Sequence, residues 1–374
     1  MMMSRMDERI LYFMHVPWGW IKQRPHFIAE ELSRKFEITV IYRKSYRKKL
    51  LVKNPQPDKL NLVELLSVPF KRKIKILDII DLHLIRYQIK NLLKNYQIIW
   101  LTSPELYKYI HNYNVKSNQI LVYDCMDDIL EFPTVNKYDK IKKNLFKLEK
   151  ELCQNATIIF CSSSYLKNKL IRRYKVNSNK IKVINNAIDL SSLSYNKLPQ
   201  EIEQYFQTNK KKIIYIGTIS EWFDFDLILY SLEKFKNIEY LLFGPADCKI
   251  PSHPSIKYIG PIQHKYISAV MKKADVLIMP FKVNELIRSV DPVKVYEYIF
   301  SGKPALVVEY EETYKFKDYI FLYSSPEDYI YKLNKILANN MNYIPTKEKI
   351  DEFVKNSQWQ HRVSQIISYL KSKR

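Results

Sequence analysis

Glycine and cysteine are scarce in this chain of 374 residues, which contains five glycines and four cysteines. The cysteines form no CxxC pair and no metal-ligand spacing, so we expect a reducing, cytoplasmic environment and no metal site. No apolar run reaches the about 18 residues that a membrane-spanning helix needs. The charged N-terminus does not resemble a signal peptide. These absences argue against a disulfide scaffold, a zinc module and a transmembrane protein.

Basic residues outnumber acidic ones, 61 to 39, which gives a formal net charge of +22. Such an excess predicts an anionic partner, which could be a nucleic acid, a phosphorylated substrate or an acidic membrane surface. The alternative is a compositional bias that serves no function, because the chain is also rich in Ile, Asn and Tyr. The length and the 47% of hydrophobic residues suit two domains with separate cores.

Short Val/Ile-rich runs alternate with amphipathic helical patterns along most of the chain. This alternation predicts an α/β protein in which doubly wound parallel sheets are covered by helices. A polar stretch over 191–212 interrupts the pattern, and a second series of strands and helices follows it. We therefore predict two Rossmann-like domains, 1–192 and 193–350, followed by a helical segment over 351–374.

Several of the few glycines follow predicted strands. Gly217, Gly244 and Gly260 each stand at the carboxyl end of a strand in the second domain, where open α/β sheets bind ligands. Gly302 follows a predicted helix and precedes Pro304, which is typical of a helix C-cap. The alternative for the first three is an ordinary tight turn at each position.

The densest pattern is MPFKVNELIRSVDPVKVYEYIFSGK, which begins at Met279. Asp291 suits an N-cap, and the proline after it suits the first position of a helix. The N–H groups at such a start can bind phosphate, and Arg288 and Lys294 add positive charge beside them. Glu297 could accept two ribose hydroxyls. The alternative is a surface helix with an ion pair between Lys294 and Glu297.

This segment resembles the donor-binding signature of the group-one, family-four-like glycosyltransferases of bacterial cell-wall and surface-polysaccharide synthesis. IIYIGTISEWFDFDLI, LLFGP, VPWGWIKQRPHFIAEEL and VYDCMDDILEFP continue the resemblance in order. It implies the GT-B fold, with two Rossmann-like domains facing a cleft and a final helix that crosses back to the first domain. It also implies a hexosyltransferase-like enzyme that moves a sugar, with retention, from a nucleotide-sugar donor to a saccharide or lipid-linked acceptor.

The resemblance assigns the donor site to residues of the second domain: Gly217, Thr218, Gly244, Gly260, Arg288, Ser289, Val290, Asp291, Lys294 and Glu297. Two departures matter. Of two glutamates that the wider group carries seven residues apart, the second falls on Glu297 but the first on Ser289, which leaves the sugar and the stereochemistry open. The loop after Gly217 is acidic and aromatic, so it cannot neutralise the phosphates. That role would be taken by Arg288, Lys294, the helix N-terminus or Arg24. Enzymes of this fold meet that charge without a metal, so we expect no cofactor besides the nucleotide sugar.

Carboxylates cluster after a strand of the first domain, which suggests acid–base chemistry or binding of acceptor hydroxyls. We predict that Asp127 is the catalytic carboxylate of this domain, alongside Glu297 in the second. The other acceptor-side candidates are Trp18, Arg24, His26, Asp124 and Asp128. The alternatives are that Asp128 caps a turn and that the tryptophan and histidine only pack.

The basic segment YRKSYRKKLLVK is also typical of nucleic-acid binding, and a sugar-nucleotide epimerase would share the fold. We favour the transferase without a nucleic-acid partner, because the donor-like segment would otherwise be unexplained. The segments Arg43–Lys53 and Phe70–Ile76 mix basic and apolar residues. They predict reversible, peripheral binding to an anionic membrane.

Overall fold

The computed structural model describes residues 8–20, 22–43, 56–69, 74–193, 196–339 and 345–373. These residues form two compact units. The first contains the residues up to Asn185 and those from Trp359 onward, and the second is Asn186–Gln358. The boundaries drawn from the sequence, at 192/193 and 350/351, both lie within the second unit.

The first unit is built on a sheet of seven parallel strands in the order β3-β2-β1-β4-β5-β6-β7. The strands are β1 (Arg9–Phe13), β2 (Glu37–Arg43), β3 (Leu60–Leu65), β4 (Ile98–Leu101), β5 (Ile120–Cys125), β6 (Ile158–Cys161) and β7 (Ile181–Val183). The sequences IIWL of β4 and IIFC of β6 are buried throughout, as expected for strands covered on both faces. The strand order reverses between β1 and β4, which is where open α/β sheets bind ligands.

Helices of this unit flank its strands: α1 (Arg24–Ser33), α2 (Lys75–Lys94), α3 (Pro133–Asn136), α4 (Asp139–Asn155) and α5 (Ser164–Tyr174). In α1 the residues Ile28 and Leu32 are one turn apart and fully buried. The hydroxyl of Ser163 caps α5 by accepting a hydrogen bond from the Leu166 N–H at 3.1 Å. None of the helices in the described part of the chain has the length and apolarity to span a bilayer.

The second unit repeats the plan with a six-stranded parallel sheet in the order β10-β9-β8-β11-β12-β13. Its strands are β8 (Lys211–Ile216), β9 (Ile238–Phe243), β10 (Ile256–Gly260), β11 (Val276–Met279), β12 (Ala305–Val308) and β13 (Phe321–Tyr323). Its helices are α6 (Gln200–Glu203), α7 (Phe225–Lys234), α8 (Ile267–Lys272), α9 (Glu285–Ser289), α10 (Val293–Ser301), α11 (Pro326–Leu337) and α12 (Lys347–Asn356). The order here reverses between β8 and β11.

The last helix, α13 (Trp359–Lys371), belongs to the first unit. Trp359 stacks on Phe27 of α1, with ring centroids 5.2 Å apart. The α/β class, the two parallel sheets and the return of the final helix are therefore confirmed.

Two local predictions need correction. The lysines at the end of the polar stretch do not form a linker, because Lys211 opens β8 and Lys212 is buried beside Glu239 at 3.1 Å. Asp291 is not an N-cap, because α10 begins at Val293 and Pro292 takes the cap position. By contrast, Gly302 has φ +68° and ends α10 as the predicted C-cap.

Candidate functional site

Two glycines meet at the carboxyl edge of the second sheet, next to the point where its strand order reverses. Gly217 follows β8 with φ +153°, and Gly244 follows β9 with φ +133°, a region that favours glycine. A Cβ atom on Gly244 would lie 2.0 Å from the carbonyl oxygen of Gly217. The close packing of the two turns therefore requires a residue without a side chain at position 244.

The side chain of Lys294 lies directly over the first of these turns. A Cβ atom on Gly217 would stand 2.9 Å from the Lys294 Nζ, which itself lies 5.5 Å from the ring centroids of Tyr215 and Phe281. Burial lowers the pKa of Lys294 to about 8, an effect that the charge of Glu297 opposes. No carboxylate of the described residues forms an ion pair with it. The arrangement is a partly desolvated cation at the ligand-binding edge of a sheet.

Glu297 lies about one turn into α10, three residues from Lys294, so that the two side chains share a face of the helix. Its closest charged neighbour is His264, with Nε2 3.9 Å from Oε1. Burial raises the pKa of Glu297, while His264 and Lys294 act in the opposite direction. The alternative of a surface pair between Lys294 and Glu297 is not what the structure contains.

Asp291 has partners that explain why it does not cap α10. Its carboxylate accepts the backbone N–H of Asn186 at 2.6 Å and pairs with Lys315 at 2.7 Å. The side-chain amide of Asn186 donates to the Asp291 carbonyl oxygen at 2.8 Å. A buried carboxylate with an ammonium partner is held more strongly than a cap contact would hold it. Asp291 thus joins two distant segments of the second unit.

The other predicted donor residues are engaged within the protein. The hydroxyl of the buried Ser289 donates to the Leu286 carbonyl at 2.7 Å, one turn back in its own helix. Arg288 forms an ion pair with Glu311, with Nε 3.1 Å from Oε1. The carbonyl oxygens of Val290 and Thr218 accept the hydroxyls of Tyr310 and Tyr215, at 3.1 and 2.7 Å. Gly260 has φ +86° and space around its Cβ position, so its backbone conformation alone favours glycine.

In the first unit, Arg24 and Asp124 form a buried ion pair. The guanidinium donates to the carboxylate from Nε at 3.0 Å and from Nη2 at 2.9 Å, and Nη1 donates to the Ile184 carbonyl at 2.7 Å. Both side chains are almost fully buried. Arg24, which the sequence offers as a phosphate ligand, here ties α1 to the ends of β5 and β7.

Asp128 is also held by its own unit. It pairs with Lys169 at 2.9 Å and Arg173 at 2.8 Å, and it accepts the Leu130 N–H at 3.3 Å. These partners lower its pKa despite burial, which acts in the other direction. The alternative that Asp128 caps a turn is therefore confirmed.

His26 is a buried residue at the start of α1. Its Nδ1 accepts a hydrogen bond from the Gln23 N–H at 3.2 Å, so the hydrogen of the ring is on Nε2. This Nε2 lies 3.3 Å from the Pro17 carbonyl oxygen and donates to it. Burial lowers the pKa of His26 to about 4, so the ring is neutral. Trp18 packs against it, with ring centroids 5.4 Å apart. Both residues pack here, as the alternative to an acceptor role describes.

Asp127 differs from its neighbours, because no described residue donates a hydrogen bond to its carboxylate. Burial raises its pKa to about 6; Arg24 opposes this shift, and Asp128 and Asp124 add to it. The result is a half-buried carboxylate without a protein partner at the carboxyl end of β5. It is the predicted acceptor-side residue that the fold leaves accessible.

Sequence analysis passed over His15 and Thr102, which end β1 and β4 at the reversal point of the first sheet. The His15 Nδ1 lies 2.8 Å from the Thr102 Oγ1. The available signal was a polar residue within two positions of the end of each of two buried apolar strands, which is weak for a single residue. Among the described residues, no group of three or more His, Cys, Asp or Glu side chains could hold a metal ion.

Comparison with known proteins agrees with this architecture. The family model described as Glycosyltransferase Family 4 matches residues 26–192. That match covers a little under half of the chain, on its N-terminal side. The provisionally named teichuronic acid biosynthesis glycosyltransferase TuaH of Bacillus subtilis (strain 168) is 24% identical over 266 residues. That match covers 67% of this chain and 66% of the relative, so it spans slightly less than two thirds of TuaH.

Solved structures of GT-B glycosyltransferases share the fold of this chain at low sequence identity. Sucrose-phosphate synthase from Thermosynechococcus elongatus superposes with a TM-score of 0.75 and 12% identity, covering 98% of this chain and 99% of that one. HepE of Anabaena, solved in complex with UDP and glucose, gives a TM-score of 0.67 and 14% identity, covering 98% and 100%.

The contact between the glycine turns predicts that Gly244→Ala strongly destabilises the protein. The new methyl group would overlap the Gly217 carbonyl oxygen, and the residue would keep an unfavourable φ. Together these effects should cost on the order of 2–4 kcal/mol. Gly302→Ala is the control and should cost only about 1 kcal/mol, because φ is positive there too but an added Cβ would make only an ordinary contact with Ile350 Cδ1 at 3.7 Å. Chemical denaturation measures both, and equal losses would contradict the packing argument.

The environment of Lys294 predicts a pH dependence of UDP binding. The cation is lost as the pH rises through its folded pKa of about 8. We therefore expect UDP affinity to fall above that pH, by up to roughly tenfold per unit. Lys294→Met should bind weakly at every pH and show no such fall, whereas Lys236→Met, an exposed control, should behave like the parent. Calorimetry at pH 7 to 9.5 (about half-unit steps) would refute the idea if affinity stayed flat.

Proposed function

We propose that this glycosyltransferase moves a sugar from a nucleotide-sugar donor, bound by the second unit, to a saccharide or lipid-linked acceptor in surface-polysaccharide synthesis. The observation that carries the proposal is the Lys294 ammonium, which lies beside the Gly217 turn and has no carboxylate partner among the described residues. A diphosphate is the natural counter-ion for a partly desolvated cation at such an edge. The name of TuaH and the complex of HepE with UDP and glucose agree with this chemistry.

The order of groups along α10 suits a nucleoside diphosphate. The N–H groups of Val293 and Lys294 belong to the first turn, where a helix attracts anions. Glu297 follows three residues later, about 4.5 Å further along the axis. A ribose lies next to the diphosphate in the donor, and a carboxylate can accept its two hydroxyls. We assign the phosphates to Lys294 and the helix start, and the ribose to Glu297.

The remaining assignments follow from the resemblance and from the first unit. Asp127 is proposed as the acceptor-side carboxylate, because it is the member of its aspartate cluster without a protein partner. Ser289 stands where relatives carry a sugar-binding glutamate, and its hydroxyl is bonded to Leu286. The donor sugar therefore depends on other contacts. Transfer with retention is the outcome that the resemblance favours.

The proposed role of Glu297 predicts that Glu297→Gln weakens donor binding. Loss of a charge-assisted hydrogen bond costs about 1.5–3 kcal/mol, or roughly ten- to a hundredfold in affinity. The fold should be unaffected, because this side chain has no hydrogen bond within the protein. The control is Glu233→Gln on the exposed side of α7, which should bind like the parent.

A thermal-shift panel of nucleotide sugars first identifies the donor, and calorimetry then measures the variants. Unchanged affinity in a folded Glu297→Gln protein would remove Glu297 from the donor site. Conversion of the donor without any acceptor would instead point to an epimerase.

We further propose that the enzyme docks reversibly on anionic membranes at the cytoplasmic surface. The predicted segments Arg43–Lys53 and Phe70–Ile76 lie largely outside the described residues. The described residues add an apolar surface, which we call the α2 face: Leu66, Ile76, Ile79, Ile80 and Tyr87, each between 48% and 81% exposed. Ile79 and Ile80 follow Ile76 by three and four residues, and Tyr87 follows Ile80 by seven, which places the four on one side of α2.

Charge complementarity favours a bilayer over another protein as the occupant of the α2 face. Lys75 is exposed in the first turn of α2, and Lys71, Arg72 and Lys73 precede it in the sequence. Basic residues gain about 1 kcal/mol each near an anionic surface, and apolar side chains beside them enter the interface. Surface exposure of isoleucines at this level is otherwise unfavourable for a monomer.

Vesicle co-sedimentation tests the α2 face. The enzyme should bind anionic vesicles, fail to bind neutral ones and dissociate at high salt. Changing Ile76 and Ile80 to Ser should weaken binding by about tenfold or more, because each isoleucine contributes partial burial. The same changes at Tyr138 and Ile141, exposed residues near the start of α4, form the control.

A second variant, with Arg47, Lys48 and Lys49 changed to Glu, should also release the enzyme from anionic vesicles. Equal recovery of the parent with neutral and anionic vesicles would reject membrane docking. If dimerisation, measured by ultracentrifugation, were lost in the isoleucine variant, the α2 face would be a protein interface instead.

A further inference from the structure

His15 occupies the position in the first sheet where the topology favours a ligand. It follows β1, and its partner Thr102 follows β4, the two strands between which the strand order reverses. Thr102 is buried, whereas His15 remains half-buried and in contact with solvent. The imidazole is therefore anchored on one side and accessible on the other.

The hydrogen bonds of Thr102 define which nitrogen of His15 carries the hydrogen. A threonine hydroxyl donates once and accepts twice. The Thr102 Oγ1 lies 3.1 Å from the Phe13 carbonyl oxygen, 3.1 Å from the His15 backbone N–H and 2.8 Å from Nδ1. All three contacts are satisfied together only if the hydroxyl donates to Phe13 and Nδ1 donates to the hydroxyl. The opposite tautomer would leave the contact with Phe13 unmade, so Nδ1 carries the hydrogen and Nε2 a lone pair.

No described residue forms a hydrogen bond with this Nε2. The charged groups around the ring are Glu105 from the 3₁₀ helix Pro104–Tyr109, Asp124 from β5 and Arg43 from β2. Glu105 is paired with Arg43 at 3.2 Å, and Asp124 with Arg24. Burial and Arg43 lower the pKa of His15, and Glu105 and Asp124 oppose that shift. The ring is therefore neutral at neutral pH.

We propose that the Nε2 of His15 accepts a hydrogen bond from the hydroxyl of the acceptor and so binds and orients the group that receives the sugar. The inference rests on the proposed transferase function and assigns a residue to its acceptor. A neutral ring with one lone pair offers nothing to a carboxylate or a phosphate, which need donors. It suits an alcohol, and hence a saccharide. Thr102 acts as a positioning residue, because it fixes the tautomer without meeting the ligand.

The tautomer can be observed directly in the full chain by nitrogen-15 NMR of labelled histidines, with His15→Gln to assign the signal. We expect a neutral ring with hydrogen on Nδ1 at pH 7. Octyl β-glucoside, which carries saccharide hydroxyls on an alkyl chain, should shift the Nε2 signal on titration. A hydrogen on Nε2, a charged ring at pH 7, or no shift at saturating glucoside would each overturn the proposal.

Turnover provides the second test, with release of nucleoside diphosphate from UDP-glucose, UDP-N-acetylglucosamine or GDP-mannose and octyl β-glucoside as acceptor. His15→Ala should raise the acceptor KM at least tenfold and leave UDP affinity unchanged. His15→Gln should retain part of the activity, because its amide oxygen can replace Nε2. Thr102→Val should lose acceptor affinity, and Thr102→Ser should retain it.

The pH profile separates binding from a purely structural role. The acceptor KM should rise on the acid side as His15 becomes charged, below the ordinary histidine value of about 6.5. In His15→Gln this rise should be absent, and only the loss of activity that follows protonation of Asp127, whose pKa is about 6, should remain. Parent-like acceptor kinetics in a folded His15→Ala protein would overturn the assignment. Failure of the parent enzyme to bind either UDP or GDP would instead contradict the proposed function, and the NMR result would still decide the role of His15.

Discussion

The buried ion pair between Arg24 and Asp124 organises the carboxyl edge of the first sheet. Removing one partner from such a pair costs about 3–5 kcal/mol, because the other charge stays buried without compensation. Since Arg24 also donates to the Ile184 carbonyl, one side chain holds the start of α1, the end of β5 and the segment after β7 together. These contacts hold the carboxyl edge of the sheet in place around Arg24. The Asp127 carboxylate and the Nε2 of His15 have no hydrogen-bond partner among the residues that the structure describes.

In the second unit, the charged group at the carboxyl edge of the sheet is a cation, Lys294. Because Gly244 has no side chain, its turn can lie against Gly217. Because Gly217 has no side chain either, the Lys294 side chain can lie over the Gly217 turn. The aromatic rings of Tyr215 and Phe281 partly compensate the desolvation of the ammonium. The Lys294 ammonium loses part of its water when the protein folds, before any ligand binds. For the proposed diphosphate ligand, the charge is therefore already in place, which is the advantage of preorganisation.

The sequence predicts features that depend on local pattern and misses those that depend on distant partners. Buried strands such as β4 and β6 are continuous apolar runs, and most predicted helices bury one face, so both can be identified. The helix α2 was missed because its isoleucines lie on the exposed side as well as the buried one, which removes the usual periodicity. No local pattern pairs Arg24 with Asp124, which are 100 residues apart. The cap predicted at Asp291 failed because Lys315 and Asn186 bind that carboxylate instead.

The two groups that the first sheet leaves without partners are both hydrogen-bond acceptors above about pH 6. Asp127, with its pKa raised to about 6, is then a carboxylate, and His15 is neutral with a lone pair on Nε2. Nearby donors are already bonded, since Arg24 binds Asp124 and Arg43 binds Glu105. A surface with accessible acceptors and satisfied donors favours ligands rich in hydroxyl groups and disfavours anions. The first sheet thus has the polarity that a saccharide acceptor requires, whereas the second has the polarity that a diphosphate requires.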